Sequence, residues 1–133
     1  MNNEEIRYYL DNIINEINKN FEYYEKTSKK IDEYDQIRST EKEIFITNYQ
    51  TKSNLLKDSL ESLKKECQQI IEQINLNNYN GEISNEVIKS AKEFKVKYDD
   101  FAKYNLGDIY FNYAKSTYDR IEQLIKESYN NIN

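Results

Sequence analysis

Cys67 is the only thiol in the 133-residue chain, and there is no histidine to act as its base. A nucleophilic cysteine needs a depressed pKa and a neighbouring proton acceptor. Cys67 instead falls between Leu63 and Ile70 at helical spacing. Burial in such a stripe raises a thiol's pKa, so Cys67 reads as core packing. The absence of histidine also excludes His-dependent triads, zinc fingers and the Glu-x-x-His diiron motif of helical bundles. Paired carboxylates can serve as acid and base, and Asp99-Asp100, Glu41/Glu43 and Glu22/Glu25 are the candidates. Each pair stands among lysines on a polar helix face, the pattern of solvated surface charge. Two glycines are too few for a phosphate-cradling loop. The expectation is a chain with no catalytic residue, no metal site and no cofactor, and hence not an enzyme.

Two further sets of residues could bind something. Lys89, Lys92, Lys95, Lys97 and Lys103 crowd one segment, interleaved with Glu93, Asp99 and Asp100. They point several ways round a helix and read as a solvated face, with an anionic-ligand site as the alternative. The tyrosines carry more. At 100° per residue, Tyr9, Tyr23 and Tyr34 fall together beside the apolar stripe of the first helical segment, and Phe111, Tyr118 and Tyr129 form a similar flank near the C-terminus. Tyrosine brings large area, small entropy cost and a polar tip to an interface. These six are the candidate partner-binding residues; the competing reading makes them the edge of a wide core stripe.

Tyr118…Glu122 and Tyr104…Asp108 fit the Tyr-x-x-x-Asp/Glu pattern of small helical substrates of type VII secretion, and Phe45…Tyr49…Leu56 resembles the second helix of those proteins. Their Trp-x-Gly turn is missing here. With 13 tyrosines and 24 acidic residues, chance alone supplies about two such matches, as many as occur.

The elements that must position these residues are helical. Apolar residues at Ile6, Leu10, Ile13, Ile17, Phe21, Tyr24, Ile31 and Tyr34 recur mostly every three or four positions, predicting a helix over 4–36. Thr40 and Glu43 have capping-box spacing and open a second helix over 41–76. Its seam of Ile46, Tyr49, Ser53, Leu56, Leu60, Leu63, Cys67, Ile70 and Ile74 has coiled-coil spacing. Asn77-Asn78-Tyr79-Asn80-Gly81 is a turn cluster. Ser84 then caps a third helix over 84–104, with Val87, Ala91, Phe94, Tyr98 and Phe101 on its apolar face. Gly107 ends it and Asp108 caps a fourth over 108–131, burying Tyr110, Ala114, Thr117, Ile121, Leu124 and Ile125. A single bent helix over 84–131, kinked at Gly107, is the alternative.

This pattern predicts an all-α single domain over 1–133: an antiparallel four-helix bundle on a long, coiled-coil-like helical hairpin, with two shorter C-terminal helices. The first two helices would be on the order of 50 Å long and the last two about 30–35 Å. The short pair therefore cannot cover the long pair completely.

Composition agrees with a folded, polar domain. Hydrophobic residues make up 38% and charged residues 32%, with a net charge of −5 spread evenly along the chain. Asn, Ile, Lys and Tyr account for almost half the residues, all with AT-rich codons, which points to an AT-rich genome. No basic patch exists to neutralise phosphates, so nucleic-acid binding is not expected. The acidic start MNNEEIRYYL lacks the parts of an export signal, and no apolar run reaches ~18 residues. A soluble, cytoplasmic chain without membrane insertion is expected. Its predicted role is a non-enzymatic protein–protein interaction module, a subunit or adaptor engaging a protein partner, or itself, through helix faces. The alternatives are a small acidic inhibitor or immunity protein of a virus or mobile element, and a leaderless type VII-like secretion helper or substrate.

Overall fold

The computed structural model describes the backbone of residues 2–34, 40–79, 85–103 and 109–130, and side chains within 2–26, 50–79, 86–103 and 112–127. The described residues form four packed helices and no strand: α1 (Asn3–Tyr34), α2 (Thr40–Asn75), α3 (Asn85–Phe101) and α4 (Ile109–Asn130). Helices α3 and α4 lie side by side rather than forming one bent helix: Tyr98 stacks on Tyr118 and Lys95 pairs with Glu122. Helix α2 begins at Thr40, whose side chain lies outside the described residues, as do the predicted caps Ser84 and Asp108 and the turn glycines Gly81 and Gly107.

Two helix ends show their chemistry directly. At the start of α1, the Asn2 side-chain oxygen accepts the Glu5 backbone N–H at 2.8 Å, satisfying a donor that has no partner within the helix. Glu4 and Glu5 add negative charge in that first turn, where the helix dipole favours it. At the end of α2 the chain reverses through Asn77, whose φ is 57°. The Asn77 and Asn78 N–H groups return to the Ile74 and Gln73 carbonyls, both at 3.0 Å, which is the paired bonding of a Schellman cap. The turn cluster thus begins as the sequence predicts, with its left-handed residue at Asn77.

Each helix packs on two others: α1 on α2 and α4, and α3 on α2 and α4. Asn3 reaches the Tyr79 carbonyl just past the end of α2 while Tyr24 bonds Asn54 within it, so the partners descend in number as α1 ascends. Asn20 with Thr117 and Tyr23 with Tyr113 show the same order between α1 and α4.

The core follows the predicted stripes closely. Ile6, Leu10, Ile13 and Ile17 are buried, as are Ser53, Leu56, Leu60, Leu63, Cys67, Ile70 and Ile74. So are Val87, Ala91, Phe94, Tyr98 and Phe101 on α3, and Ala114, Thr117, Ile121 and Leu124 on α4. Burying a side chain such as Leu or Phe contributes roughly 1.5–3 kcal/mol, so these stripes supply the main drive for association of the helices. Phe21, Tyr24 and Ile125 are half-buried at its edge. The side chains of Ile31, Tyr34, Ile46, Tyr49 and Tyr110 lie outside the described residues.

Candidate partner interface

The described tyrosines of the two flanks, Tyr9, Tyr23 and Tyr118, are half-buried and pack against the edge of the core. The side chains of Tyr34, Phe111 and Tyr129 lie outside the described residues. Tyr23 stacks on Tyr113 of α4, ring centroids 4.2 Å apart and planes 23° apart. The Lys26 ammonium stands 5.3 Å from the Tyr23 ring centre, a cation over a π face. Tyr9 meets Tyr8 edge-on at 5.5 Å. Tyr118 stacks on Tyr98 at 4.7 Å and tilts against Phe94 at 6.2 Å. Inward ring faces thus serve packing within the chain, while the outer parts of the same rings stay in reach of solvent.

Two charged groupings frame these aromatics. Glu122 accepts from Lys126 at 2.9 Å along α4 and pairs with Lys95 of α3 at 3.0 Å. Hydrogen bonds from these two ammonium groups hold its carboxyl down at about 2. Lys95 also lies 5.5 Å from the Tyr118 ring, tying the α3/α4 aromatic stack to the ion pair. Across the molecule, burial pushes the Tyr113 hydroxyl up to about 12, reinforced by the charge and hydrogen bond of Glu16. A phenol so raised stays neutral and acts as a hydrogen-bond donor.

A polar contact lies deeper. Asn20 and Thr117 are fully buried, and the Asn20 amide donates to the Thr117 hydroxyl at 3.0 Å. The hydroxyl in turn donates to the Tyr113 carbonyl one turn back, at 3.2 Å. This joins α1 to α4 in one register, because a slip would leave buried polar groups without partners. Periodicity alone placed Thr117 in the core but passed over Asn20, Tyr113 and the capping Asn2. An asparagine at an inward helical angle, three residues after Ile17, was the available local signal.

The Glu41 and Glu43 side chains lie outside the described residues, while Glu22, Glu25 and Asp99 are exposed and Asp100 is half-buried. Cys67 is fully buried, and desolvation pushes its thiol up to about 12, a state with almost no nucleophilic thiolate. Lys103 pairs with Asp100 at 3.6 Å in the open. Among the described residues no three acidic, Cys or His side chains converge as metal ligands, and no helix is long and apolar enough to cross a membrane.

On the outer side of α2 and α3 lies a shallow groove lined by Leu55, Lys89, Glu93, Val96 and Lys97. Val96, 61% exposed, Leu55, 38% exposed, and the half-buried Ile88 make its apolar part. No protein-family model, curated protein or solved structure matches this chain.

Proposed function

We propose that the chain is a non-enzymatic protein–protein interaction module, a subunit or adaptor of a heteromeric complex. In this reading it is an antiparallel four-helix bundle whose long hairpin, α1 with α2, reaches past the shorter pair. The carrying observation is the mismatch of lengths: 32 and 36 residues against 17 and 22. With Tyr23 on Tyr113, the α4 start at Ile109 comes opposite a position four residues beyond Tyr23. Helix α1 runs on from there to Tyr34, about 10 Å further. Helix α2 likewise begins at Thr40, well before the level at which Asn54 meets Tyr24. Ile31, Tyr34, Ile46 and Tyr49 belong by sequence to this overhang, at positions that continue the buried seam. An apolar seam without a third and fourth helix over it is a natural seat for a partner's helix.

Of the tyrosine flanks, Tyr23, Tyr34 and Phe111 fall at the overhang end and would supply the aromatic rim common at interfaces, while Tyr9, Tyr118 and Tyr129 fall further along α1 and α4 and would serve a contact beside the bundle. Affinity purification of the tagged chain from its native cells, with Ile31→Glu and Ile46→Glu variants in parallel, tests the reading. A stoichiometric protein lost with both variants, while their helicity and thermal midpoint hold, is the expected result. A partner retained by both would move the interface elsewhere, and recovery of no partner would remove the heteromeric role. The identity of the captured protein also separates the subunit from an acidic inhibitor or a secretion helper, the two lesser readings.

A further inference from the structure

The two most exposed large hydrophobic side chains among the described residues, Tyr8 and Val96, are each 61% exposed, on helices that do not touch each other. Each sits in a row of alternating charge. Along the outer face of α1, around Tyr8, the order is Glu4, Arg7, Asp11: negative, positive, negative. Along the α3 wall of the α2/α3 groove, beside Val96, Lys89, Glu93 and Lys97 run positive, negative, positive at i, i+4 spacing. Lys92 adds a further positive charge to that wall and Asp58 a negative one from α2. Both rows follow helical neighbour spacing, so each forms a stripe about two turns long.

We propose that the first turns of α1 in one copy of this chain dock into the α2/α3 groove of a second copy, antiparallel to its α3. In that register Glu4 meets Lys97, Arg7 meets Glu93 and Asp11 meets Lys89. The charge rows are symmetric and would also match with the helices parallel, so the apolar pair decides the direction. In both directions Tyr8 starts within about a turn of Val96 along the axis. Helical side chains lean toward the N-terminus of their own helix. With the helices antiparallel, the Tyr8 ring and Val96 lean toward each other and close the gap. With the helices parallel, the longer Tyr8 side chain leans away from Val96 and opens it.

The charges concerned are available. Lys89, Glu93 and Lys97 form no ion pair among the described residues. Arg7 and Asp11 pair only loosely, at 3.9 Å, with both side chains about half exposed. The footprint is smaller than a standard protein interface, so the association is weak and its register is set by electrostatics. Donor and acceptor surfaces lie on different helices, making the contact heterologous, so association need not stop at two copies. The inference is independent of the overhang proposed above, which uses the C-terminal end of α1 and the N-terminal end of α2.

Cross-linking tests it in the full chain. Tyr8→Cys and Val96→Cys proteins are mixed in equal amounts, treated with a short bismaleimide, and the linked dimers separated by mass. The buried Cys67 thiol does not compete. Mixed dimers in excess of the statistical proportion are expected, and statistical proportions would overturn the proposal. Charge reversal gives a second reading by sedimentation equilibrium. The Lys89→Glu, Lys97→Glu double variant should weaken self-association about fivefold. An equimolar mixture with the Glu4→Lys, Asp11→Lys variant should restore it between unlike copies. Loss without restoration in the mixture, or no loss at all, would sink the pairing.

Discussion

At the scale of single residues, the raised Tyr113 hydroxyl makes a definite statement about pH. Burial is the largest cause, followed by the Glu16 charge, and together they lift it from 10 to about 12. The folded chain therefore keeps a proton that the unfolded chain releases first. By linkage, this neutral phenol contributes stability that is whole below pH 10 and is lost as pH rises towards about 12. Urea denaturation between pH 8 and pH 12 should show stability falling across the upper part of that range, and Tyr113→Phe should flatten the fall. Glu16→Gln should lower the Tyr113 titration only in part, since burial remains. A Tyr113→Phe protein with an unchanged alkaline slope would place the linkage on another group. Glu122 is the opposite case: its depressed pKa reflects two surface ammonium groups, an arrangement that responds to salt and holds little of the fold together.

At the scale of helices, much was legible in the chain because apolar side chains recurring every 3.6 residues fit a helix and little else. The described stripe positions on all four helices are buried or half-buried as the spacing requires. What periodicity could not show was polar chemistry inside the stripes. Asn20 is buried because Thr117 of another helix accepts its amide proton, a long-range pairing that no local pattern contains. The flanking tyrosines were legible as flanks, but their stacking partners Tyr113 and Tyr98 depend on which helices become neighbours. The α2 terminus is a similar case. Asn77 adopts φ 57°, a region that Asn tolerates better than most residues and Gly occupies freely. Asn77→Ala should therefore destabilise the chain by about 1 kcal/mol, whereas Asn77→Gly should be neutral or slightly stabilising. Urea midpoints of the two variants check this, and equal effects would mean that the Schellman turn can form without its left-handed residue.

Across the whole molecule the four helices are not held with equal strength. Helix α3 leans chiefly on α2, and α4 chiefly on α1, while the joint between α3 and α4 is the thinnest of the four. That joint rests on Tyr118 packed against Phe94 and Tyr98, with the Lys95–Glu122 pair beside it. Such an arrangement opens like a clasp: separating α3 from α4 leaves the stripes of α1 and α2 in contact. Tyr118→Ala removes the ring that both α3 aromatics touch, at a cost of about 1–3 kcal/mol for a half-buried aromatic. Amide hydrogen exchange should then accelerate in α3 and α4 while residues 10–17 and 56–67 remain the slowest to exchange, because local opening there still requires breaking the α1/α2 core. Equal acceleration in all four helices would show instead that the molecule opens only as a unit. In that case the α3/α4 joint, though thin, is as cooperative as the rest.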